Sequence, residues 1–270
     1  RMENSLFSKP RDLFLDIVNP RDYVQIDSVS HMYQSLKNSV QKPLKMILLY
    51  GRPGTGKSML LHKLHHDLSK HQKVLMVSTP IVDEDDFLRV LAQNIFGHAP
   101  REVMTLNRFL EISSALSLST IPIVLLDEAQ LYSPALMEKI RLISDARAIK
   151  FVITLHKTDQ EDIIAKEHFQ TRIWESIELQ NASAEELKIY VQKKLLKANC
   201  FDVANMFNDK NMKLIASLTR GNYRETNKLL FSLFSLYCWY EENNPTLIKY
   251  NTIKPKWIEM AAIHTGLIHA

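Results

Sequence analysis

Glycine is scarce in this 270-residue chain: six residues are present, where ordinary usage of roughly 7% would give about 19. That scarcity excludes a glycine-rich or loop-dominated architecture. It also makes each glycine informative, because glycine serves positions of positive φ or close backbone approach. Gly51, Gly54 and Gly56 fall within six residues, Gly221 precedes Asn222 in a polar break between apolar segments, and Gly97 and Gly266 stand apart. Cysteine is scarcer still. Cys200 and Cys238 are the only two; they form no CxxC or metal-ligand spacing, which points to buried thiols in a reducing, cytoplasmic compartment. No secretory signal is visible at the N-terminus, and Arg1 ahead of Met2 reads as a remnant, with Met2 the expected natural start. The longest apolar run, Leu229 to Tyr240, has 12 residues and contains two serines, short of the roughly 20 a bilayer span needs. An excess of one charge is lacking too: 34 Lys+Arg face 30 Asp+Glu, a net +4 that does not by itself imply nucleic acid. What is present, 46% hydrophobic and 24% charged residues, suits one large globular domain or one domain with a small satellite.

Apolar runs predict strands at Lys45–Tyr50, Lys73–Val77, Ile121–Leu126, Lys150–Leu155 and Ser176–Leu179, of the kind covered on both faces. Between them, helical periodicity covers Ser28–Val40, Lys57–Leu68, Asp83–Phe96, Leu106–Leu116 and Pro134–Ile143, the last with Ser133 as cap and Pro134 in the first turn. Such alternation predicts an α/β fold: a parallel sheet flanked by helices. The character changes at Ser183, which forms a capping box with Glu186; helices follow at about 184–198, 210–219, 223–240 and 256–264. The expected organisation is therefore a partly irregular N-terminal arm over 1–27, an α/β nucleotide-binding domain over 28–181, and a smaller all-helical lid with a C-terminal tail over 182–270.

Gly51-Arg52-Pro53-Gly54-Thr55-Gly56-Lys57-Ser58 is a complete G-x-x-x-x-G-K-S, placed after a strand and opening a helix, the context that a phosphate-binding loop requires. Its glycines let successive backbone N–H groups turn toward phosphate oxygens, and the helix N-terminus adds a positive field. Lys57 is expected to neutralise the β- and γ-phosphates and Ser58 to offer its hydroxyl to Mg²⁺, with Met59 following in the first turn. The strand Ile123–Leu126 runs into Asp127 and Glu128. Ligands of open α/β sheets sit at the carboxyl ends of strands, so Asp127 is expected beside the metal and Glu128 as the group that orients a water for attack.

The phosphate loop and the Asp127–Glu128 pair together resemble the AAA+ ATPases. A narrower likeness rests on Leu126-Asp127-Glu128-Ala129-Gln130-Leu131, on Leu136 to Ile143, on Gln170-Thr171-Arg172-Ile173, on Glu185 to Val191 and on Gly221-Asn222-Tyr223-Arg224 running to Leu230. This series resembles the general secretion pathway protein A (ExeA-type) family, close to TniB-like transposition ATPases, over roughly residues 10–240. The resemblance implies ATP and Mg²⁺ as cofactors. It implies Arg224 as the sensor 2 arginine of the lid, reaching the γ-phosphate, and Arg172 as an arginine finger that completes the site of a neighbouring copy in a homo-oligomer. Sensor 1 falls to Thr154, His156 or Lys157, and Gln130 is a further candidate facing the site. The function it implies is an ATPase driving conformational change or assembly of a secretion, pilus or DNA-uptake machine of the cell envelope. Its partner would be a protein, an inner-membrane component among the candidates, through which the chain associates with the membrane. The alternatives are a DNA-acting ATPase of transposition, replication-initiation or clamp-loader type, and a nucleotide-gated switch with negligible turnover.

Three further features read as structural. His62, His65 and His66 cluster on one helix without further convergent ligands for a metal. The Leu229–Tyr240 run reads as the central core helix of the lid. The lid carries eleven Lys+Arg against seven Asp+Glu over 183–254; Lys188, Lys193, Lys194 and Lys197 read as a solvated helix face, with contact to DNA phosphates the competing reading.

Overall fold

The computed structural model describes residues 4–15, 21, 23–43, 45–116, 120–156 and 175–269. They group into two compact units. One consists of His31–Arg52 and Lys57–Leu179; the other of Arg1–Ser30, Pro53–Gly56 and Gln180–Ala270. Each is described separately below as the sheet unit and the helical unit.

Among the described residues the sheet unit holds five parallel strands in the order β2-β3-β4-β1-β5: β1 Met46–Gly51, β2 Val74–Val77, β3 Ile123–Leu126, β4 Lys150–His156 and β5 Glu175–Leu179. The central strands are apolar on both faces because helices cover both. Met46 and Leu48 of β1, Val124 and Leu126 of β3, and Phe151 and Ile153 of β4 share one core. It also includes Leu88 and Leu91 of α4 (Glu84–Phe96) and Leu136 and Ile140 of α6 (Pro134–Asp145). The alternating positions Ile47, Leu49, Leu125 and Val152 are equally buried, as a period of two requires. The amphipathic α3 (Lys57–Leu68) packs on β1 and β4 and buries Leu60, Leu61, Leu64 and Leu68. Also in this region are α5 (Leu106–Ala115) and most of α2 (Asp27–Gln41). Ser133 caps α6 by accepting from the Leu136 amide, with Pro134 in the first turn.

The helical unit comprises α1 (Ser8–Leu13), α7 (Ala184–Lys197), α8 (Phe201–Asn205), α9 (Asp209–Thr219), α10 (Tyr223–Asn243) and α11 (Pro255–His264). The 21-residue α10 is its centre: Leu229, Leu230, Leu233, Phe234, Tyr237 and Cys238 are buried. The arm, read from sequence as partly irregular, contributes α1 to this core. Phe7 lies 4.5 Å from Tyr237 and Phe14 5.7 Å from Phe234, centroid to centroid. A six-residue helix is unstable alone; here aromatic burial fixes it, and Ser5 caps its start by accepting from the Phe7 and Ser8 amides while donating to Glu241 at 2.6 Å. The Ser183–Glu186 capping box is present at the head of α7.

Of the α7 lysines Lys193 and Lys197 are exposed and Lys188 and Lys194 half-buried, in keeping with a largely solvated face. Lys188 pairs with Asp209 at 2.6 Å, Lys193 donates to the Gln25 carbonyl at 2.6 Å and Lys197 to the Arg21 carbonyl. Lys194 sits 5.1 Å over the Phe14 ring. Carbonyls and rings of the arm supply partners that the periodicity of α7 alone does not reveal. Both cysteines are free thiols, raised in pKa chiefly by burial. Among the described residues, no helix is long and apolar enough to cross a membrane.

Candidate nucleotide-binding site

In the sheet unit the site is assembled at the carboxyl ends of β1, β4 and β3. Register sets this convergence: Gly51 pairs with His156 and Leu126 with Ile153. Residues that follow β1 and β3 therefore flank the end of β4, where open α/β sheets place their ligands. Lys57 opens α3 with its ammonium 2.9 Å from both the Gly51 and Arg52 carbonyls, and the residue is only 5% exposed. The Ser58 hydroxyl donates to Asp127 Oδ2 at 2.7 Å. Asp127 Oδ1 accepts from the Thr154 hydroxyl and from the Glu128 amide at 3.1 Å. The same Thr154 oxygen also accepts from the Glu128 amide at 2.9 Å. A carboxylate that is 6% exposed thus has its oxygens occupied by donors, the condition for burying a charge.

Glu128 leaves β3 in the left-handed region, at φ 54°. This is an uncommon backbone state for a residue with a side chain, held here by the two acceptors of its amide. Its carboxylate is half-exposed and stands 3.6 Å from His156 Nε2, an ion pair when the imidazole is protonated. Gln130 Oε1 accepts from the His156 amide at 3.3 Å. Of the three sensor 1 candidates, Thr154 therefore touches Asp127 and the Glu128 amide, His156 faces the Glu128 carboxylate, and Lys157 lies outside the described residues. Arg172 lies outside them as well.

The tip of the loop, Pro53–Gly56, belongs to the helical unit. Gly54 has φ +82°, and a Cβ there would stand 2.7 Å from the Arg224 Cβ and collide with the Asn222 side chain. The Gly54 carbonyl accepts from the Tyr223 amide at 3.0 Å and the Arg224 amide at 3.3 Å. Asn222 Nδ2 donates to the Pro53 carbonyl at 2.7 Å. Thr55 is buried, Arg52 and Pro53 are exposed, and Met59 is half-buried in the first turn of α3. Sequence reasoning placed Asn222 only as a neighbour of Gly221. Its contact with Pro53 joins positions 169 apart in the chain, and no local signal carries that.

Hard oxygen donors suit Mg²⁺, and Ser58 Oγ with Asp127 Oδ2 offer two that are already adjacent. Among the described residues, the only other cluster with metal-ligand proximity is Asp83, Asp85 and Asp86. There Asp83 caps α4 and Asp85 pairs with Arg89. His62, His65 and His66 form no such cluster.

Residues 41–162 match the model of the AAA domain family. Among curated proteins none matches the sequence. Solved structures resemble the chain at low identity. Cdc6p from Pyrobaculum aerophilum has a TM-score of 0.67 at 15% identity, over 96% of this chain and 71% of that one. The Aeropyrum pernix ORC1 protein, solved in complex with DNA, has a TM-score of 0.64 at 14% identity, over 94% and 69%. The Aeropyrum pernix ORC2 protein, solved as ADPNP–ADP complexes, has a TM-score of 0.59 at 13% identity, over 96% and 72%. The AAA domain family and the three structures named above do not bear the ExeA-type name. With five parallel strands among the described residues, a G-x-x-x-x-G-K-S loop after β1 and a C-terminal helical region, the chain has the AAA+ P-loop fold, and the AAA domain family is what residues 41–162 resemble.

Proposed function

We propose that this chain binds Mg·ATP and hydrolyses it to drive a conformational change in a complex that acts on DNA. The supporting observation is the Ser58–Asp127–Thr154–Glu128 cluster. A serine and an aspartate stand ready for a hard cation, and the next residue presents a carboxylate whose backbone is held by two acceptors. Lys57 and the loop amides bind the phosphates. Ser58 and Asp127 would hold Mg²⁺, which would supply charge neutralisation at the phosphates. Glu128 orients a water and accepts its proton as the water oxygen bonds to the γ-phosphorus and the bridging oxygen departs with ADP. His156 Nε2 faces the Glu128 carboxylate at 3.6 Å. Arg224 is the second cation for the γ-phosphate, and Arg172 serves the site of a neighbouring copy.

The choice of DNA over an envelope machine rests on likeness, since the matched structures include an ORC1 protein in complex with DNA. Function carried across a shared fold is analogy, so the test is direct. Fluorescence anisotropy with labelled duplex and single strands, with and without ATP, is followed across a salt series. The proposal expects ATP-dependent binding that weakens steeply with salt. No binding at low salt, with co-purification of an inner-membrane protein, returns the reading to the envelope.

A further inference from the structure

We infer that Asn222 is a positioning residue for the phosphate loop: its side-chain amide and the first backbone N–H groups of α10 hold two loop carbonyls outward and so turn the loop amides inward. The inference rests on the nucleotide reading of that loop. Three donors meet two acceptors. Asn222 Nδ2 lies 2.7 Å from the Pro53 carbonyl, and the Tyr223 and Arg224 amides lie 3.0 and 3.3 Å from the Gly54 carbonyl. In a planar trans peptide the C=O and the following N–H point in opposite directions. Fixing the Pro53 carbonyl therefore fixes the Gly54 amide, and fixing the Gly54 carbonyl fixes the Thr55 amide. Those are amides of the G-x-x-x-x-G-K-S loop, where a nest of N–H groups receives phosphate oxygens.

The orientation of the Asn222 amide follows from its surroundings. Its Oδ1 accepts from the Glu225 amide at 3.1 Å as the cap of α10, which leaves Nδ2 for Pro53 and for Asn181 Oδ1 at 3.3 Å. The side chain is 8% exposed, so both ends act away from competing water. The contact is anchored behind as well: the Ala182 amide donates to the Gly221 carbonyl at 2.9 Å. The first turn of a helix normally leaves its N–H groups without intrahelical partners. Here two of them are spent on the loop, and Gly54 is the residue type that allows the approach, since any Cβ would strike Asn222 and Arg224.

The test separates capping from positioning. Asn222→Ser and Asn222→Asp both keep an oxygen that caps Glu225, whereas Asn222→Ala removes it; none of the three has the Nδ2 donor. The full chain is followed by amide hydrogen exchange without nucleotide, by thermal unfolding, and by titration with a fluorescent ADP. The expected result for Asn222→Ser is exchange at residues 54–57 accelerated several-fold, a Kd for labelled ADP raised about five-fold, the size of one lost hydrogen bond, and a thermal midpoint lower by only a few degrees. Asn222→Ala shows the same loop exchange with a larger fall in midpoint. Unchanged loop exchange in Asn222→Ser overturns the inference, whatever the ADP affinity. A wild-type chain that takes up no labelled ADP, indistinguishable from Lys57→Ala, overturns the nucleotide reading and this inference with it.

Discussion

Replacing Thr154 with valine removes one oxygen from the centre of the carboxylate cluster while nearly preserving shape. The residue is 1% exposed, donates to Asp127 Oδ1 and accepts from the Glu128 amide at 2.9 Å. A hydrogen bond to an ionised partner contributes about 1.5–3 kcal/mol and a neutral one about 0.5–1.5. The Glu128 amide keeps a second acceptor, Asp127 Oδ1 at 3.1 Å, so the neutral loss lies at the low end of its range. The sum is about 2–4 kcal/mol, which for a chain of this size lowers the thermal midpoint by roughly 5–12 °C. Thr154→Ser keeps the hydroxyl and loses a buried methyl, costing about 1 kcal/mol. Circular dichroism melts of the two variants read the difference. In a double-mutant cycle with Asp127→Ala, which removes the acceptor, the two losses fall short of additivity by about 1–2 kcal/mol, because both changes remove the Thr154–Asp127 bond. A valine variant as stable as the serine variant, or a fully additive cycle, would refute the claim that Thr154 holds Asp127 and Glu128 together.

Gly221→Ala is expected to cost at least about 2 kcal/mol, since φ is +76° and the new Cβ collides with the Ala182 carbonyl; Gly221→Asn, which tolerates the dihedral, fails equally in urea unfolding because the collision remains. The Glu186 carboxyl lies below its usual pKa, first through the Ser28 hydroxyl and then through the Ser183 amide and hydroxyl, against some burial. Its contribution is therefore fully present above the unfolded carboxylate value of about 4.3 and is lost as pH falls through the lower folded value. The stability gap between wild type and Glu186→Gln should accordingly be widest near neutrality and close in acid, as melts at several pH values would show; a gap that widens in acid contradicts this. Phe234 is 0% exposed and Trp239 54%, so Phe234→Ala should cost about 3–5 kcal/mol and Trp239→Ala under about 1 in the same assay, although both belong to one apolar run.

The sheet was legible because its strands are covered on both faces. Met46 to Leu49 and Ile123 to Leu126 are continuous apolar runs, and each ends at a chemical signal, the glycine loop or Asp127–Glu128. Helix starts were legible where side chains write them, as at Ser133 and Ser183. Short elements held by distant contacts were not. The arm helix Ser8–Leu13 is too brief for periodicity and depends on Phe7 and Phe14 meeting α10, while Phe201–Asn205 is five residues long. Lys193 and Lys197 are exposed, as their periodicity suggests, but their contacts with the Gln25 and Arg21 carbonyls were not legible, because a carbonyl leaves no mark on a sequence. In the site, residue types and spacing pointed to Lys57, Ser58, Asp127 and Glu128, which the structure places at the carboxyl ends of β1 and β3. The register of β4, which sets Thr154 against Asp127 and His156 against Glu128, was not legible in the sequence. The role of Asn222 as a donor to Pro53 was hidden because the two residues lie 169 positions apart.

Steady-state phosphate release with Mg·ATP, measured for wild type and Glu128→Gln beside nucleotide retention, tests the central claim most directly. The wild type is expected to turn over ATP, the variant to lose release by two orders of magnitude or more, and both to retain ATP. Release at the wild-type rate in Glu128→Gln would contradict the assignment of Glu128, and a wild type that binds ATP without turnover would contradict hydrolysis itself.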